Sequence, residues 1–401
     1  MSKQTDAKLP AIKFQTFDKD WQEKQIGKVL SETNRPIVLE DDQRYELVTV
    51  KRRNEGVVSR GYLYGHEILV KNYSQLAEGD YLISKRQVVH GATGIVPAAL
   101  DGAIVSNEYL VAVGNGDIST EFLTLMSKRP AMYRKFFLSS YGVVIEKLFF
   151  DVEDWKKRTV TIPELDEQTE ICSWFESLDR MTGLNQRKHD KLVTLKQAML
   201  RKMYPQGNAT VPEVRFKGFT EPWEARQLDS VGEFNPKATL PEVFEYVDLG
   251  SVVGTQMIDH RTELKDSAPS RAQRLARTGD LFFQTVRPYQ KNNHLFKLLR
   301  DDFVFSTGYA QIRPFNDGGF LLAAMQRNEF LRVVLAHCTG TSYPAINSKV
   351  LAKIEVSVPS PSEQKQIGQY FSDIDDLIST YAAQLKKLKN IKSACLEKMF
   401  V

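Results

Sequence analysis

The side chains best placed to do chemistry in this chain are its cations. Arg261, Lys265, Arg271, Arg274, Arg277, Arg287, Lys291, Lys297 and Arg300 follow one another closely, against only Glu263, Asp266 and Asp280 in the same stretch. A second basic group, Lys51, Arg52, Arg53 and Arg60, lies in the first half, with Lys85-Arg86 further on. A guanidinium neutralises phosphate, and its planar fork also fits the O6 and N7 acceptors of guanine. Gln284, Asn292 and Asn293 are of the type that pairs with adenine edges. Thr341-Ser342-Tyr343 after Gly340 either offers hydroxyls to phosphate or bases or closes a simple turn. For each arginine taken singly, a solvated loop surface is an equal reading; the cluster as a whole carries more weight than its members.

Enzyme parts are harder to find. There is no Asn/Asp-Pro-Pro-aromatic run of an amino-methyltransferase, no GxxxxGK phosphate loop, and of GxGxxG only the fragment Gly114-Asn115-Gly116. Asp259, Glu263 and Lys265 imitate the acidic pair and lysine of metal-dependent nucleases, but the acids stand too close in sequence. His337-Cys338 ends an apolar helical segment and reads as packed and inert rather than as a base and thiol nucleophile. Cys172, Cys338 and Cys395 form no CxxC pair and the six histidines are scattered, so neither disulfide nor zinc is expected. The expectation is a chain with no catalytic residue, no metal site and no cofactor of its own.

Composition sets the outer bounds. At 401 residues, 42% hydrophobic and 26% charged, the chain is long enough for two or three domains and excludes disordered and fibrous classes. Charges break every apolar run well short of a membrane span, and the polar start Met1 to Lys8 has no signal-peptide core. A soluble, cytoplasmic protein is expected. The net charge of +4 permits a nucleic-acid partner without requiring one.

The elements that must position these residues come in two copies. Pro10-Ala11-Ile12-Lys13-Phe14-Gln15-Thr16-Phe17 then Trp21 returns as Pro212-Glu213-Val214-Arg215-Phe216-Lys217-Gly218-Phe219 then Trp223. Gly79-Asp80 returns as Gly279-Asp280, and Ser106 with Tyr109 as Ser306 with Tyr309. Ile162-Pro163 ahead of Glu167-Gln168 and Ile171 matches Val358-Pro359 ahead of Glu363-Gln364 and Ile367. A tandem duplication fixes the architecture before any local assignment. Strands are expected at Arg44 to Val50, Tyr81 to Ile83 and Ala103 to Val105, and at Glu245 to Leu249, Leu281 to Phe283 and Phe303 to Phe305. Helices are expected around Glu121 to Met126 and Gly319 to Leu335. The Gly-Asp pairs read as structural turns. Phe14, Phe17 and Trp21, with Phe216, Phe219 and Trp223, are expected to pack on the helices rather than stack on bases.

Each half ends in a long helix. Ile367, Phe371, Ile374, Ile378, Tyr381, Leu385 and Leu388 alternate steps of four and three, a heptad seam that Cys395 continues. Its counterpart has Ile171, Phe175, Leu178, Leu192 and Met199, with Thr182, Asn185 and His189 making its middle polar and Met181 and Leu184 offering a shifted stripe. The reading is α+β: two mixed α/β domains separated by two long helices forming an intramolecular antiparallel coiled coil. The domains divide as 9–162, helix 163–205, 206–358 and helix 359–401. Helices of this length make spacers of about 55 Å, and a spacer between two basic domains suits separated half-sites on DNA. The rival reading is a coiled-coil adaptor whose two globular domains bind proteins. If the repeat closes on itself, Leu9 to Phe17 packs near Met399 to Val401, as Val211 to Phe219 follows Met203.

With these motifs in this order, the chain resembles the specificity subunits of type I restriction-modification systems, from about Leu9 onward. The resemblance implies a non-catalytic subunit that reads a bipartite, asymmetric double-stranded DNA target. It implies two methyltransferase subunits using S-adenosylmethionine, docked mainly on the helices, and two restriction subunits adding ATP-dependent translocation and cleavage with Mg2+, in phage defence. The polar middle of the first helix departs from the seam pattern.

Overall fold

The computed structural model describes residues 9–145 and 148–401, and the leader reading of Met1 to Lys8 falls outside them. The chain divides into two compact units, Met1–Leu184 with Leu385–Val401, and Asn185–Gln384. Among the described residues no helix is long and apolar enough to cross a membrane.

The two units repeat one strand plan. In the first, Gln22–Gln25 pairs antiparallel with Thr159–Ile162, and a four-stranded sheet runs Leu30–Glu32, Tyr109–Gly114, Tyr81–Ser84, Thr93–Ile95. In the second, Glu224–Gln227 pairs with Glu355–Val358, and the sheet runs Gly232–Phe234, Tyr309–Pro314, Leu281–Gln284, His294–Leu295. A further sheet in each unit sets one parallel pair among antiparallel ones: Arg44–Val50 beside Ile104–Ser106, and Val243–Val247 beside Phe303–Ser306. The central strands 81–84 and 281–284 are buried at every residue, which is why they are apolar runs rather than alternating ones.

Two expected elements differ. The strand placed at Glu245 to Leu249 is Val243–Val247, because Asp248 Oδ1 accepts from Gly250 N at 2.9 Å and Ser251 Oγ at 3.1 Å and turns the chain. The helix placed over Gly319 to Leu335 is two helices, Gly318–Gln326 and Asn328–Ala336. Arg327 between them is extended, its guanidinium 4.8 Å over the Tyr204 ring and bonded to Pro205 O at 3.2 Å.

The Gly-Asp turns are ion-paired anchors. Gly79 and Gly279 take φ of 83° and 93°, open to glycine at little cost. The buried Asp80 carboxylate then accepts from Ala77 N and from both Arg35 nitrogens at 2.6 and 3.0 Å. Asp280 likewise accepts from Arg277 N and from Arg313 at 2.9 and 2.8 Å.

The long helices span Leu165–Lys202 and Pro361–Lys398. Each opens alike: Gln168 Nε2 donates to Pro163 O and Gln364 Nε2 to Pro359 O, both at 2.9 Å. The glutamates beside them diverge, Glu167 accepting from Trp21 Nε1 at 3.3 Å and Glu363 from Arg215 at 2.7 and 2.8 Å. In the first unit Ile171, Phe175 and Leu178 are buried in one cluster with Leu388 and Cys395, and Asp179 pairs with Lys392. In the second, Ile367 and Phe371 share a cluster with Met199, and Asp375 pairs with Lys196 at 2.5 Å. Within each unit the two helix segments therefore run antiparallel. Ile374 and Leu385 are buried, and Leu192, Ile378 and Tyr381 half-buried. The shifted stripe does not form: Met181 and Leu184 are 51% and 44% exposed, while Thr182, Asn185 and His189 are half-buried in the original register. Thr182 returns its hydroxyl to Leu178 O at 2.8 Å, which meets its hydrogen-bonding need within the helix.

Each unit is closed by the aromatic residue that ends a long helix. Phe400 stacks on Phe122 at 5.5 Å, meets Trp21 at 6.0 Å and Phe175 at 6.3 Å, and lies under Arg129 at 4.6 Å. Tyr204 stacks on Phe320 at 5.4 Å, meets Trp223 at 5.6 Å and Phe371 at 6.3 Å, and lies under Arg327. The opening segments dock on the same helix ends: Ile12 N donates to Lys398 O and Val214 N to Lys202 O, both at 2.9 Å. Nearby, the helix that carries Phe122 is capped by Ser119, and the one that carries Phe320 by the longer Asp317. The second long helix accommodates the longer cap with Gly368, where an added Cβ would stand 1.9 Å from Asp317 Oδ1.

Phe400→Ala is expected to cost about 3–5 kcal/mol in urea unfolding, with hydrogen exchange rising around Trp21 and Phe122 and unchanged around Trp223 and Phe320. Gly368→Ala is expected to expel the Asp317 cap and lower stability by at least the roughly 1 kcal/mol of a lost cap, read in the same assay, whereas Ser372→Ala on the same helix leaves that cap in place.

Candidate nucleic-acid interface

In each unit the buried central strand runs out into a loop, one turn of 3-10 helix and a left-handed residue. The turns are Val88–His90 and Pro288–Gln290, and the left-handed residues Gly91 (φ 73°) and Lys291 (φ 54°). A hairpin turn leans on this loop from one side. Arg53 N donates to His90 O and Asn54 N to Gly91 O, both at 2.8 Å. In the second unit Gly254 N donates to Asn292 Oδ1 at 2.9 Å and His294 Nδ1 to Thr255 O at 2.9 Å. From the other side comes the segment before the last strand, with Phe150 N bonded to Lys85 O and Ile346 N to Thr285 O. Three loops thus meet on one face of each unit.

Backbone strain concentrates there. Among the described residues five non-glycine residues have positive φ; Arg53, Asn54, Arg287 and Lys291 sit on these loops, and Asn235 does not. An arginine or lysine gains nothing locally from the left-handed region, so the surrounding contacts must hold it there.

The structure separates cations that are already neutralised from those that are not. Arg261 bonds Asp248 at 2.9 Å and Glu263 at 2.7 Å, and these hydrogen bonds raise its pKa further. Lys265 bonds Glu242 at 2.8 Å, and Arg300 bonds Asp302. Arg86 pairs with Glu108 at 2.6 Å over the Phe149 ring, and Lys85 donates to Asn107 O at 2.9 Å. Arg261, Lys265, Arg300 and Arg86 are thus paired with carboxylates of the protein, and Lys85 is held by a backbone carbonyl. Lys291 is turned to Gln326 O and Asn328 Oδ1, both at 2.7 Å, and burial lowers its pKa. Arg274 is half-buried, and burial lowers its pKa. Among the described residues, Lys51, Arg52, Arg53, Arg60, Arg271, Arg277 and Arg287 have no carboxylate partner.

Gln284 lies inside the loop. It is 2% exposed, and its amide donates to Val286 O at 2.7 Å and Gln290 Oε1 at 2.8 Å, so it builds the loop instead of meeting a base. Asn293 is equally buried, its Oδ1 accepting from Gln284 N. Asn292 uses its oxygen on Gly254. Thr341 and Ser342 are exposed in a turn after Gly340 (φ 84°), beside the bridge of Thr339 to Ala345.

The motifs that imitated catalysis come apart. Asp259 Oδ1 accepts from His260 N, Glu263 holds Arg261 and Lys265 holds Glu242. His337 Nδ1 donates to Val333 O and Cys338 Sγ to Val334 O, and burial pushes the Cys338 thiol pKa up, away from a nucleophile. Two surface features escaped the sequence reading: the exposed edge-strand residues Tyr62, Leu63 and Tyr64, and Tyr343 as a ring beneath Arg287 at 4.2 Å. The run Tyr62-Leu63-Tyr64 was a visible signal, since an aromatic on either side of leucine cannot all turn inward from one strand.

A duplicated α+β chain whose two units repeat one strained, basic loop face defines a class of two-module binding proteins built on paired helices. The chain belongs to the family of type I restriction modification DNA specificity domains, which matches residues 18–194 and 270–390. It is similar to the type I restriction enzyme MjaVIII specificity subunit of Methanocaldococcus jannaschii, 18% identical over 405 residues that cover 93% of this chain and 90% of that one. It is also similar to the putative type I restriction enzyme MjaX specificity subunit of the same organism, 22% identical over 265 residues, 59% of this chain and 57% of that one. In fold it is similar to the type I restriction-modification system S subunit from M. genitalium, with TM-score 0.55, 14% identity, and coverage of 98% and 99%.

One pH effect follows from the loop face. Burial lowers the His294 pKa below its ordinary 6.5. As pH falls through about 6.5 the unfolded chain takes up a proton that the folded site resists, so stability falls toward pH 5. His294→Gln is expected to flatten that part of the profile, measured by urea midpoints at pH 7.5, 6.5 and 5.5.

Proposed function

We propose that this chain reads a bipartite, asymmetric double-stranded DNA target, one part with each unit, and scaffolds the subunits that act on it. The single observation that carries this is the recurrence, on both units of a duplicated chain, of one three-loop face holding unpartnered cations. Family membership supports it. Residues 9–162 and 206–358 are the recognition domains in this reading, and the helices 163–205 and 359–401 are the platform for two methyltransferase subunits and two restriction/translocase subunits. S-adenosylmethionine, ATP and Mg2+ belong to those partners, and the chain itself contributes recognition and no catalytic residue. The complex works in the cytoplasm, where its DNA is.

The exposed arginines and Lys51 supply the sequence-independent part of the affinity by displacing condensed counterions. Base edges are then read by the few side chains whose geometry the loops fix. Methylome sequencing of a host carrying this chain with its methyltransferase subunit, against a host lacking the chain, is expected to show one new adenine-methylation motif of two specified parts around a fixed gap. Binding of that complex to a duplex bearing the motif is expected to fall roughly a thousandfold or more between 50 and 200 mM salt. No motif from an assembled complex, with the same methyltransferase active beside another specificity chain, returns the protein to the adaptor class.

A further inference from the structure

Arg287 differs from every other unpartnered cation of the two faces. Its backbone is left-handed (φ 54°, ψ 55°) and tied at both ends: its N–H donates to Pro344 O at 2.7 Å and its carbonyl accepts from Gln290 N at 3.1 Å. Its side chain is half-buried and its guanidinium lies 4.2 Å over the Tyr343 ring. A stacked guanidinium uses its face on the ring and keeps its in-plane N–H donors for something else. What lies beside it is a cavity of about 470 Å³, lined also by Gln290, Asn292, Val252, Val253 and Tyr343. The amides there are ordered from behind, Gln290 Oε1 by Gln284 Nε2 at 2.8 Å and Asn292 Oδ1 by Gly254 N at 2.9 Å.

Resting on the DNA-reading proposal above, we infer that Arg287, stacked on Tyr343, is the specificity residue of the second unit and reads one guanine through O6 and N7 in the major groove. Guanine presents two acceptors side by side and matches a two-pronged donor; adenine presents one acceptor and one donor, and its amino group opposes the second N–H. The fixed backbone, the stack and the recessed position are what a base reader needs, because discrimination depends on a donor pair held in place before contact. A phosphate ligand needs none of them. Arg271 and Arg277 are exposed, and neither stacks on a ring among the described residues, so neither carries these constraints.

The test uses the assembled methyltransferase complex with the full chain. Arg287→Lys keeps the charge but loses the planar fork; Tyr343→Phe keeps the ring. Methylome sequencing of wild type, Arg287→Lys, Arg287→Ala and Tyr343→Phe is combined with duplex binding at several salt concentrations. Arg287→Lys is expected to make one guanine of the motif degenerate, with discrimination at that position falling roughly tenfold to a hundredfold. The remaining positions and the salt slope stay as in wild type, and Tyr343→Phe retains the full motif. An intact motif with affinity lowered equally on all sequences and a salt slope reduced by about one makes Arg287 a phosphate ligand and overturns the inference. An intact motif with unchanged binding overturns it too. Should the wild-type complex produce no bipartite motif, the DNA-reading proposal itself fails and the inference falls with it. Thermal melting and co-purification with the methyltransferase identify a variant that merely misfolds, and Arg287→Lys, which preserves the cation over the ring, carries the result if Arg287→Ala does.

Discussion

Everything in this fold depends on an aromatic side chain at a helix end being enclosed by the unit it completes. Phe400 and Tyr204 each sit among a tryptophan and two phenylalanines beneath an arginine, and each pins a helix whose last carbonyls accept the incoming chain. Rings in edge and offset contact add to the area they bury, and the half-buried guanidinium adds a cation–π contact. The contact couples three segments far apart in sequence: the opening Pro-Phe-Trp stretch, the capped helix at 120 or 318, and the long helix. With those three fixed, the sheets have a base, and the loops at the opposite end of each central strand have defined anchor points.

Strain on the loop face is the counterpart of that rigidity. Cations held in left-handed backbone persist only where neighbouring hydrogen bonds over-determine them, and the bonds from Arg53, Asn54 and Arg287 to the adjoining loops do this. The face is also economical in charge. Basic residues of the second unit are paired with Asp248, Glu263, Glu242 or Asp302, which confines the outward positive field to fewer sites.

How much of this was legible in the sequence depends on what kind of information each feature carries. The duplication, the central strands and the heptad helices were readable because burial imposes a period on residue type, and Arg44–Val50 has the bounds expected of it. The break at Arg327 was not, because it is set by a tertiary contact with Tyr204 rather than by any helix-stopping residue. Nor were the ion partners. Asp80 and Asp280 occupy equivalent turns, yet one is met by Arg35 from a connecting segment and the other by Arg313 from a strand, so the repeat offset does not find them. Among the cations, residue type was legible and availability was not: Arg261 and Arg287 look alike in sequence, and only the positions of Asp248 and Tyr343 tell them apart.

The composition of the first unit from two separated stretches has a consequence for biosynthesis. The second unit is one continuous stretch, Asn185–Gln384, whereas the first needs Leu385–Val401 added to a stretch that ended at Leu184. At ordinary elongation of about 5–20 residues per second, the first stretch waits roughly 10–40 s on the ribosome before its missing helix turns and Phe400 emerge. During that interval Trp21, Phe122 and Phe175 lack the ring that encloses them. The unit whose synthesis starts first is thus completed only after the other, and its aromatic pocket stays open until residues 385–401 have been made.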